Sequence, residues 1–266
     1  MTPTKPPNDR NEAFWHEYLT NKNGLQTRGR RFFSRLPHGP RCRVCAAPFA
    51  GASAPLMRLI GKRPSSGNPN FCNSCEEFMV RHHGGAEVRM SALFADIRGS
   101  TALAESMSPG AFHALLDRFY TTASQVVFAH DGMVDKFVGD ELVAVFPPIF
   151  GEQHAAHAVK TATALLRATG HADPGGPWVP VGAGVHTGQV WFGAVGEGGH
   201  TEITVVGDAV NTTARLAAAA GAGEVLVSTE AAAAAGLDPA LERRMLDLKG
   251  KAEATEVVSL RVEAEH

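Results

Sequence analysis

The sequence lacks the features of a membrane-spanning or secreted protein. It contains no run of about 18 apolar residues, and residues 1–10 lack the charged and then apolar pattern of a secretory signal. Its 266 residues are 44% hydrophobic and 20% charged, which is typical of a folded globular chain rather than a disordered one. We therefore expect a cytoplasmic protein with no membrane span.

Cysteine is scarce, and its placement is informative. All four cysteines fall in two C-x2-C pairs, Cys42 with Cys45 and Cys72 with Cys75, separated by 26 residues. Disulfides are a poor explanation in a cytoplasmic chain, whereas two such pairs can present four thiolates to one metal ion. We predict a metal-binding module. Structural zinc is favoured, and an iron–sulfur cluster stays an alternative because all-cysteine sites hold both.

Acidic residues are few in the first third of the chain. Residues 1–89 contain 14 Lys and Arg against 6 Asp and Glu, while residues 90–266 contain 11 against 21. The basic residues include Arg28, Arg30, Arg31, Arg35, Arg41 and Arg43. Such a module could bind nucleic acid or an acidic membrane face, but no recognition helix or aromatic platform accompanies the charges. We favour a solvated cationic surface, or one that docks on the acidic half, and expect no nucleic-acid partner.

The pattern of apolar residues predicts four segments. Residues 1–40 form a helical segment, residues 41–80 the four-cysteine module, residues 81–87 a linker, and residues 88–266 a larger domain. The larger domain alternates strands and helices, with separate strands expected at residues 179–185 and 190–195. We expect an α+β fold, with a mostly antiparallel sheet and helices on one of its faces.

Two aspartates occupy exposed ends of predicted strands. Asp96 ends an apolar strand and precedes a turn of small residues, while Asp140 lies at the tip of a predicted hairpin after Gly139. Each could be an ordinary turn or cap residue. Carboxylates on adjacent strands can also share a pair of Mg²⁺ ions, and the turn amides can take phosphate oxygens.

Five sequence blocks occur in order across the larger domain. They are FADIRGST (94–101), DKFVGDELVAVF (135–146), GVHTG (184–188), VGDAVNTTARL (206–216) and LKGK (248–251). This series resembles the class III adenylate and guanylate cyclases over essentially all of residues 88–262. The resemblance implies a ferredoxin-like cyclase fold and an enzyme that forms a cyclic nucleotide and pyrophosphate.

The resemblance also implies roles for individual residues. Asp96, Asp140 and the backbone carbonyl of Ile97 would bind two Mg²⁺ or Mn²⁺ ions per site. Asn211 would orient the ribose, and Arg215 would stabilise the charge on the α-phosphate. The triphosphate would contact Lys249 and the turn formed by Gly99, Ser100 and Thr101.

Lys136 and Thr204 occupy the positions at which the family reads the purine. An ammonium group is only a donor, so Lys136 suits the N1 acceptor of adenine and opposes the N1–H of guanine. ATP is therefore the expected substrate. Guanylate cyclases typically have Glu and Cys at these positions.

In this family, the metal-binding face of one subunit meets the Asn- and Arg-bearing face of another. Because this chain has both sets, a homodimer would complete two equivalent sites. Two alternatives stay open: a guanylate cyclase, and a silent cyclase-like dimer that acts as a binding module. We further hypothesise that the four-cysteine module couples metal or redox state to the geometry of the cyclase dimer.

Overall fold

A computed structural model describes residues 9–20, 25–36, 40–66, 71–196, 202–247 and 254–262. The helices are α1 (Asp9–Thr20), α2 (Leu25–Ser34), α3 (Ala54–Leu59), α4 (Asn73–Arg81), α5 (Ser100–Ser106), α6 (Pro109–Ala129), α7 (His154–Ala168), α8 (Asp208–Ala219) and α9 (Thr229–Ala235). The strands are β1 (Gly85–Ile97), β2 (Met133–Val138), β3 (Glu141–Phe146), β4 (Val181–Val195), β5 (Glu202–Val206), β6 (Glu224–Ser228), β7 (Arg243–Leu246) and β8 (Thr255–Arg261). None of the helices in the described ranges is long and apolar enough to cross a membrane.

The strands form one sheet in the order β2-β3-β1-β4-β6-β8-β7, with β5 paired to β4. Where the register is defined, β4 with β6 is a parallel pair and the other pairs are antiparallel. The predicted α+β class with a mostly antiparallel sheet is confirmed.

The two strands expected at residues 179–185 and 190–195 are one continuous strand, β4. The intervening HTGQ segment continues the strand. A Cβ atom on Gly188 would lie 2.8 Å from the Cβ of Ala209, so glycine allows α8 to approach the strand. The small residue serves packing rather than a turn.

Helices cover both faces of the sheet, so the expectation of helices on one face was wrong. Val225 and Val227 of β6 lie in the main core with residues of α6, α7 and α9, whereas Leu226 packs with Leu216 of α8. Successive residues of a strand point to opposite faces, which explains how one strand serves both cores. The uninterrupted apolar run in β6 is the signature of such two-sided burial.

The chain divides into two compact units. The first consists of Met1–Val88, Pro147–Gly151 and Gln189–Gly207, and the second contains the remaining residues. The N-terminal helices and the four-cysteine module thus group with the end of β4 and with β5. Residues 81–87, predicted as a linker, contain the last residue of α4 and the first three residues of β1. The division into four segments stays a prediction.

Candidate active site

The carboxyl groups of Asp96 and Asp140 lie within hydrogen-bonding reach of each other in the second unit. Asp96 is near the end of β1 and pairs with Glu141, the first residue of β3, so the hairpin tip is brought to the strand end. Gly139 turns the chain there with φ of 59°. The structure therefore brings together the two aspartates that were predicted to share metal ions.

The hairpin tip is held by Tyr120 of α6. Its hydroxyl donates to the carbonyl oxygen of Gly139, and its ring stacks on Phe137 with centroids 3.9 Å apart. Both contacts fix the backbone from which Asp140 projects. A carboxylate on so restrained a turn loses little freedom when it binds a cation.

A third carboxylate, Glu141, adds to the negative charge of the site. Burial and the neighbouring Asp140 raise the pKa of Asp96 to about 6, although Arg98 lowers it. Burial, Asp96 and Asp140 raise the pKa of Glu141 to about 7. Neighbouring carboxylates with raised pKa values form a set of oxygen donors suited to a hard divalent cation, because the cation offsets their mutual repulsion. Sequence reasoning gave Glu141 no role, although it stands beside Asp140 in the GDE block.

Arg98 was also missed. Its guanidinium pairs with the Asp96 carboxylate and donates to the carbonyl oxygens of Ala218 at 3.1 Å and Ala220 at 3.4 Å. These carbonyls are at the C-terminal end of α8, where a cation is favourable. Arg98 thus connects the metal-binding strand end to the helix that contains Asn211 and Arg215.

The turn after β1 has the form expected for phosphate binding. Gly99 has φ of 68° and precedes α5, which begins at Ser100. No side chain among the described residues caps the N-terminus of this helix. Thr101 is exposed and Ser100 half-buried, while Ile97 is buried and leaves only its backbone for a ligand. The turn thus presents backbone amides close to Asp96.

Asn211 and Arg215 share one face of α8, as their four-residue spacing predicted. Asn211 is exposed and Arg215 is half-buried. The Nη1 atom of Arg215 is buried and has no hydrogen-bond partner among the described residues. A buried guanidinium nitrogen without an acceptor carries a free-energy cost of desolvation. A hydrogen bond from this nitrogen to an anionic ligand would remove that cost.

The two predicted base-reading residues lie in different units. Lys136 is half-buried in β2, just after a shift in the register with β3, and its ammonium is 3.6 Å from the Asp135 carboxylate. Thr204 is the middle residue of β5, is 8% exposed and pairs with Gly193 of β4. Lys249 lies outside the described residues.

The four cysteines form a cluster in the first unit, which confirms the predicted module. The Sγ atoms of Cys42, Cys45, Cys72 and Cys75 lie within 4.8 Å of one another, and all are free thiols. The Sγ atoms of Cys45 and Cys72 are 3.7 Å apart. Four zinc–sulfur bonds of about 2.3 Å in a tetrahedron give a sulfur–sulfur separation of about 3.8 Å. The donor set and its spacing therefore fit zinc, although which metal binds stays a prediction.

The cysteine pairs are shaped as metal knuckles. In the first pair, the Cys42 amide donates to the carbonyl oxygen of Ala47 and the Ala46 amide donates to the carbonyl oxygen of Cys42, both at 2.9 Å. The Cys72 amide donates to the Sγ of Cys42 at 3.3 Å. Contacts with the other thiols and burial raise the pKa of Cys45 and Cys75. Contacts with neighbouring thiols lower the pKa of Cys72, and at Cys42 such contacts outweigh burial and lower the pKa as well, so a cation is needed for all four thiols to ionise together.

Two of the six N-terminal arginines are structural rather than solvated. Arg30 is 2% exposed and donates to the carbonyl oxygens of Arg43 and Val44, inside the first cysteine pair. Arg41 donates to the carbonyl oxygens of Phe33, Leu36 and Ala46. The expectation of a solvated cationic surface is therefore wrong for these two residues, whereas Arg28, Arg31 and Arg35 are exposed.

Lys62 adds a cation close to the cysteines. Burial lowers its pKa, but the four cysteine thiolates outweigh that effect and raise it overall. Lys62 thus offsets part of the negative charge that four thiolates bring to one metal ion.

Comparison with known proteins identifies the larger domain. Residues 86–258 match the adenylate and guanylate cyclase catalytic domain. The chain belongs to this family. It is 35% identical to adenylate cyclase 1 of Rhizobium meliloti over 144 residues, which are 51% of this chain and 22% of the relative. It is 33% identical to an adenylate cyclase of Anabaena cylindrica over 133 residues, 48% of this chain and 26% of the relative. The chain thus spans about a quarter of these relatives.

Solved cyclase structures have the same fold. The guanylyl cyclase Cya2 superposes with a TM-score of 0.61 at 25% identity, over 68% of this chain and 95% of that one. The adenylyl cyclase CyaB from P. aeruginosa gives a TM-score of 0.58 at 25% identity, over 68% and 97%. The predicted cyclase fold is confirmed. The matched residues 86–258 of the cyclase family exclude all four cysteines.

Proposed function

We propose that this chain is an adenylate cyclase that converts ATP to 3',5'-cyclic AMP and pyrophosphate. The observation that carries the proposal is the close approach of the Asp96 and Asp140 carboxyls, at a strand end followed by a helix whose N-terminus no described side chain caps. Membership of the cyclase family gives this arrangement its chemical meaning. The adenylate cyclases among the relatives support the choice of nucleotide.

Asp96, Asp140 and the carbonyl oxygen of Ile97 would hold two Mg²⁺ or Mn²⁺ ions. When bound, these ions supply acidification of the ribose 3'-hydroxyl and charge neutralisation at the triphosphate. The crowding that raises the pKa of Asp96 and Glu141 fits this role, because a divalent cation relieves it. Glu141 would strengthen the local negative potential.

The other residues bind and orient the substrate. The amides of the turn at Gly99, Ser100 and Thr101 would accept phosphate oxygens, and Lys249 would contact the triphosphate. Asn211 would orient the ribose. Arg215 would donate to the α-phosphate as its negative charge increases, a role that suits a planar and permanently charged guanidinium.

A homodimer would complete each site, with the metal ligands from one subunit and α8 from the other. The exposure of Asn211 supports this arrangement, as does the buried Arg215 nitrogen without an acceptor among the described residues of one chain. Each dimer would contain two equivalent sites.

Lys136 and Thr204 would select adenine. The ammonium of Lys136 is a donor only, which favours the N1 acceptor of adenine over the N1–H of guanine. Guanylate cyclase activity is the alternative within the family, because the solved structures that share this fold include a guanylyl cyclase. The four-cysteine module would hold zinc and regulate the cyclase.

The test is turnover of ATP and GTP by the purified full chain with Mg²⁺ or with Mn²⁺. We expect cyclic AMP from ATP and at least about fivefold less product from GTP, as a mismatched donor pair costs about 1–3 kcal/mol. The variant Asp96→Asn should be inactive but folded. Met245→Ala, an exposed residue of β7, is the matched control. Faster turnover of GTP would favour the guanylate cyclase, and a folded dimer that turns over neither nucleotide would favour the silent binding module.

A further inference from the structure

The N-terminal module, which consists of α1 to α4 and the four cysteines, contacts the hairpin of β4 and β5 in the first unit. The contact lies where α4 leads into β1. The amide of Ala194 in β4 donates to the carbonyl oxygen of Gly84 at 2.8 Å. Gly85 and Gly193 approach so closely that a Cβ on either one would collide with the backbone of the other. Only glycine at both positions permits this approach.

Trp15 of α1 reinforces this junction. Its side chain is 1% exposed, and its Nε1 donates to the carbonyl oxygen of His82 at 2.6 Å. Its ring meets Phe192 of β4 edge-on, with centroids 6.3 Å apart. Trp15 therefore contacts both the end of α4 and the hairpin, and it is buried between them.

His83 makes the last of these contacts. Its Nε2 atom donates to the carbonyl oxygen of Gly196, directly after β4, at 2.6 Å. Its own carbonyl oxygen accepts from Asn11 Nδ2 at 2.7 Å. Because the His83 side chain is exposed, it can be replaced without opening the core.

The four-cysteine cluster lies at the other end of the same helix. Cys72 is the N-cap of α4 and Cys75 is in its first turn, while His82 follows the helix at its C-terminal end. Phe78, midway along α4, packs on the rings of Tyr18 and His82 with centroids 4.9 Å away in each case. A nine-residue helix therefore joins the metal ligands to the hairpin contacts.

On its other side, β4 pairs with β5, the strand that contains the proposed base contact Thr204. Gly193, which contacts Gly84 and Gly85 on one side, is the register partner of Thr204 in β5 on the other. Gly193 thus lies between the N-terminal module and Thr204. A displacement of Gly193 shifts Thr204 directly, because paired strands are joined by backbone hydrogen bonds.

We propose that the N-terminal module positions the nucleotide base through this hairpin, with Trp15 and His83 as positioning residues and with the metal at the four cysteines as the element that holds α4 in place. The proposal rests on the proposed function, since it takes Thr204 as a base contact. Under this proposal, the four-cysteine centre affects the affinity for the nucleotide and not the rate of the chemical step.

The first experiment compares His83→Ala and His83→Gln in the full chain. Alanine removes the bond to Gly196, and glutamine supplies another donor. We expect His83→Ala to raise the KM for ATP about two- to tenfold with little change in kcat, and His83→Gln to restore it, as one hydrogen bond is worth about 0.5–1.5 kcal/mol. Leu59→Ala is the matched control, because Leu59 belongs to the same module and is 84% exposed.

Amide hydrogen exchange of residues 202–206 provides a readout independent of turnover. Exchange of these amides should be about two- to tenfold faster in His83→Ala than in the wild type. It should also be faster after a chelator removes the metal, and it should recover when zinc is added back. Unchanged exchange in both cases would overturn the proposal, and so would faster exchange with unaltered KM in a protein that cyclises ATP. If the wild type cyclises neither nucleotide, the proposed function fails, while the exchange data still decide whether the module holds the hairpin.

Discussion

Arg98 pairs with Asp96, and through its other terminal nitrogen it reaches the carbonyl oxygen of Ala218 at the end of α8. By the roles proposed above, Asp96 serves one active site of a dimer and α8 serves the other. The contact therefore joins elements of two sites within one chain. The backbone amide of Arg98 also donates to Pro180 O at 2.8 Å, so both its main chain and its side chain are restrained.

Arg98→Ala should destabilise the second unit by about 1–3 kcal/mol, because charge-assisted hydrogen bonds to Asp96 and to the α8 carbonyls are lost together. Arg98→Lys should fall between the wild type and Arg98→Ala, since an ammonium can satisfy only part of this set. Urea denaturation followed by circular dichroism measures the difference. Stability of Arg98→Ala equal to that of the wild type would show that solvent replaces these contacts.

Asp140→Asn should reduce turnover about 100-fold or more, because the loss of a metal ligand removes several kcal/mol of transition-state stabilisation. The same change should stabilise the protein when metal is removed, since Asp140 raises the pKa of both Asp96 and Glu141. A variant that retains most of its activity would contradict the assignment of Asp140 as a metal ligand.

The stabilisation by Asp140→Asn should depend on pH. A carboxyl whose pKa is raised by folding contributes stability below its unfolded value and loses it as the pH rises through the folded value. For Asp96 and Glu141 that loss falls between about pH 4 and pH 7, from unfolded values of 3.8 and 4.5 to folded values of about 6 and about 7. We expect a gain of about 1 kcal/mol at pH 8 and almost none at pH 4, measured by thermal unfolding in chelator.

Much of this site could be predicted from the sequence because its signals are local. Asp96 follows an apolar strand and Asp140 follows Gly139 in a hairpin block, so their positions depend on neighbouring residues and on the pairing of β1 with β3. The four-residue spacing of Asn211 and Arg215 on a helix is equally local.

The features that were missed depend on distant residues. Arg98 meets Ala218, which is 120 residues away, and no local pattern marks that contact. The burial of Arg30 and the continuity of β4 through Gly188 likewise result from packing against other elements. The charge pattern suggested a solvated surface and the apolar pattern suggested two separate strands, and tertiary contacts overrode both expectations.

A mixture of two inactive variants should recover activity if the sites form between subunits. By the proposed roles, Asp140→Asn would lack a metal ligand and Arg215→Ala would lack the phosphate contact, so each homodimer should be inactive. A mixed dimer has one site with both defects and one with neither. Equal amounts, refolded together, should give about a quarter of wild-type activity, because half of the dimers are mixed and each has one working site. No recovery in a mixture shown to contain mixed dimers would place both residues in a single-chain site.

The double change Lys136→Glu with Thr204→Cys should move the preference from ATP towards GTP. A glutamate accepts the N1–H of guanine, whereas it faces the N1 of adenine as one acceptor facing another. We expect kcat/KM for ATP to fall at least about tenfold and that for GTP to rise, measured by steady-state assays with both nucleotides. Loss of both activities would instead indicate that Lys136 is needed for the fold near Asp135, to which its ammonium is close.

The four cysteines should bind one zinc ion per chain and give a colourless protein. Their module has a small apolar core that consists mainly of the cysteines themselves with Ala47, Phe49 and Met57, so metal binding must contribute to its folding. Cys72→Ser should therefore lose the metal and unfold the first unit at a lower temperature, while Ser74→Ala, an exposed neighbour in the same turn, should retain both. Metal analysis and calorimetry test this directly. A brown protein with absorbance near about 400 nm would instead identify an iron–sulfur cluster, because the same four-sulfur ligand set accommodates one.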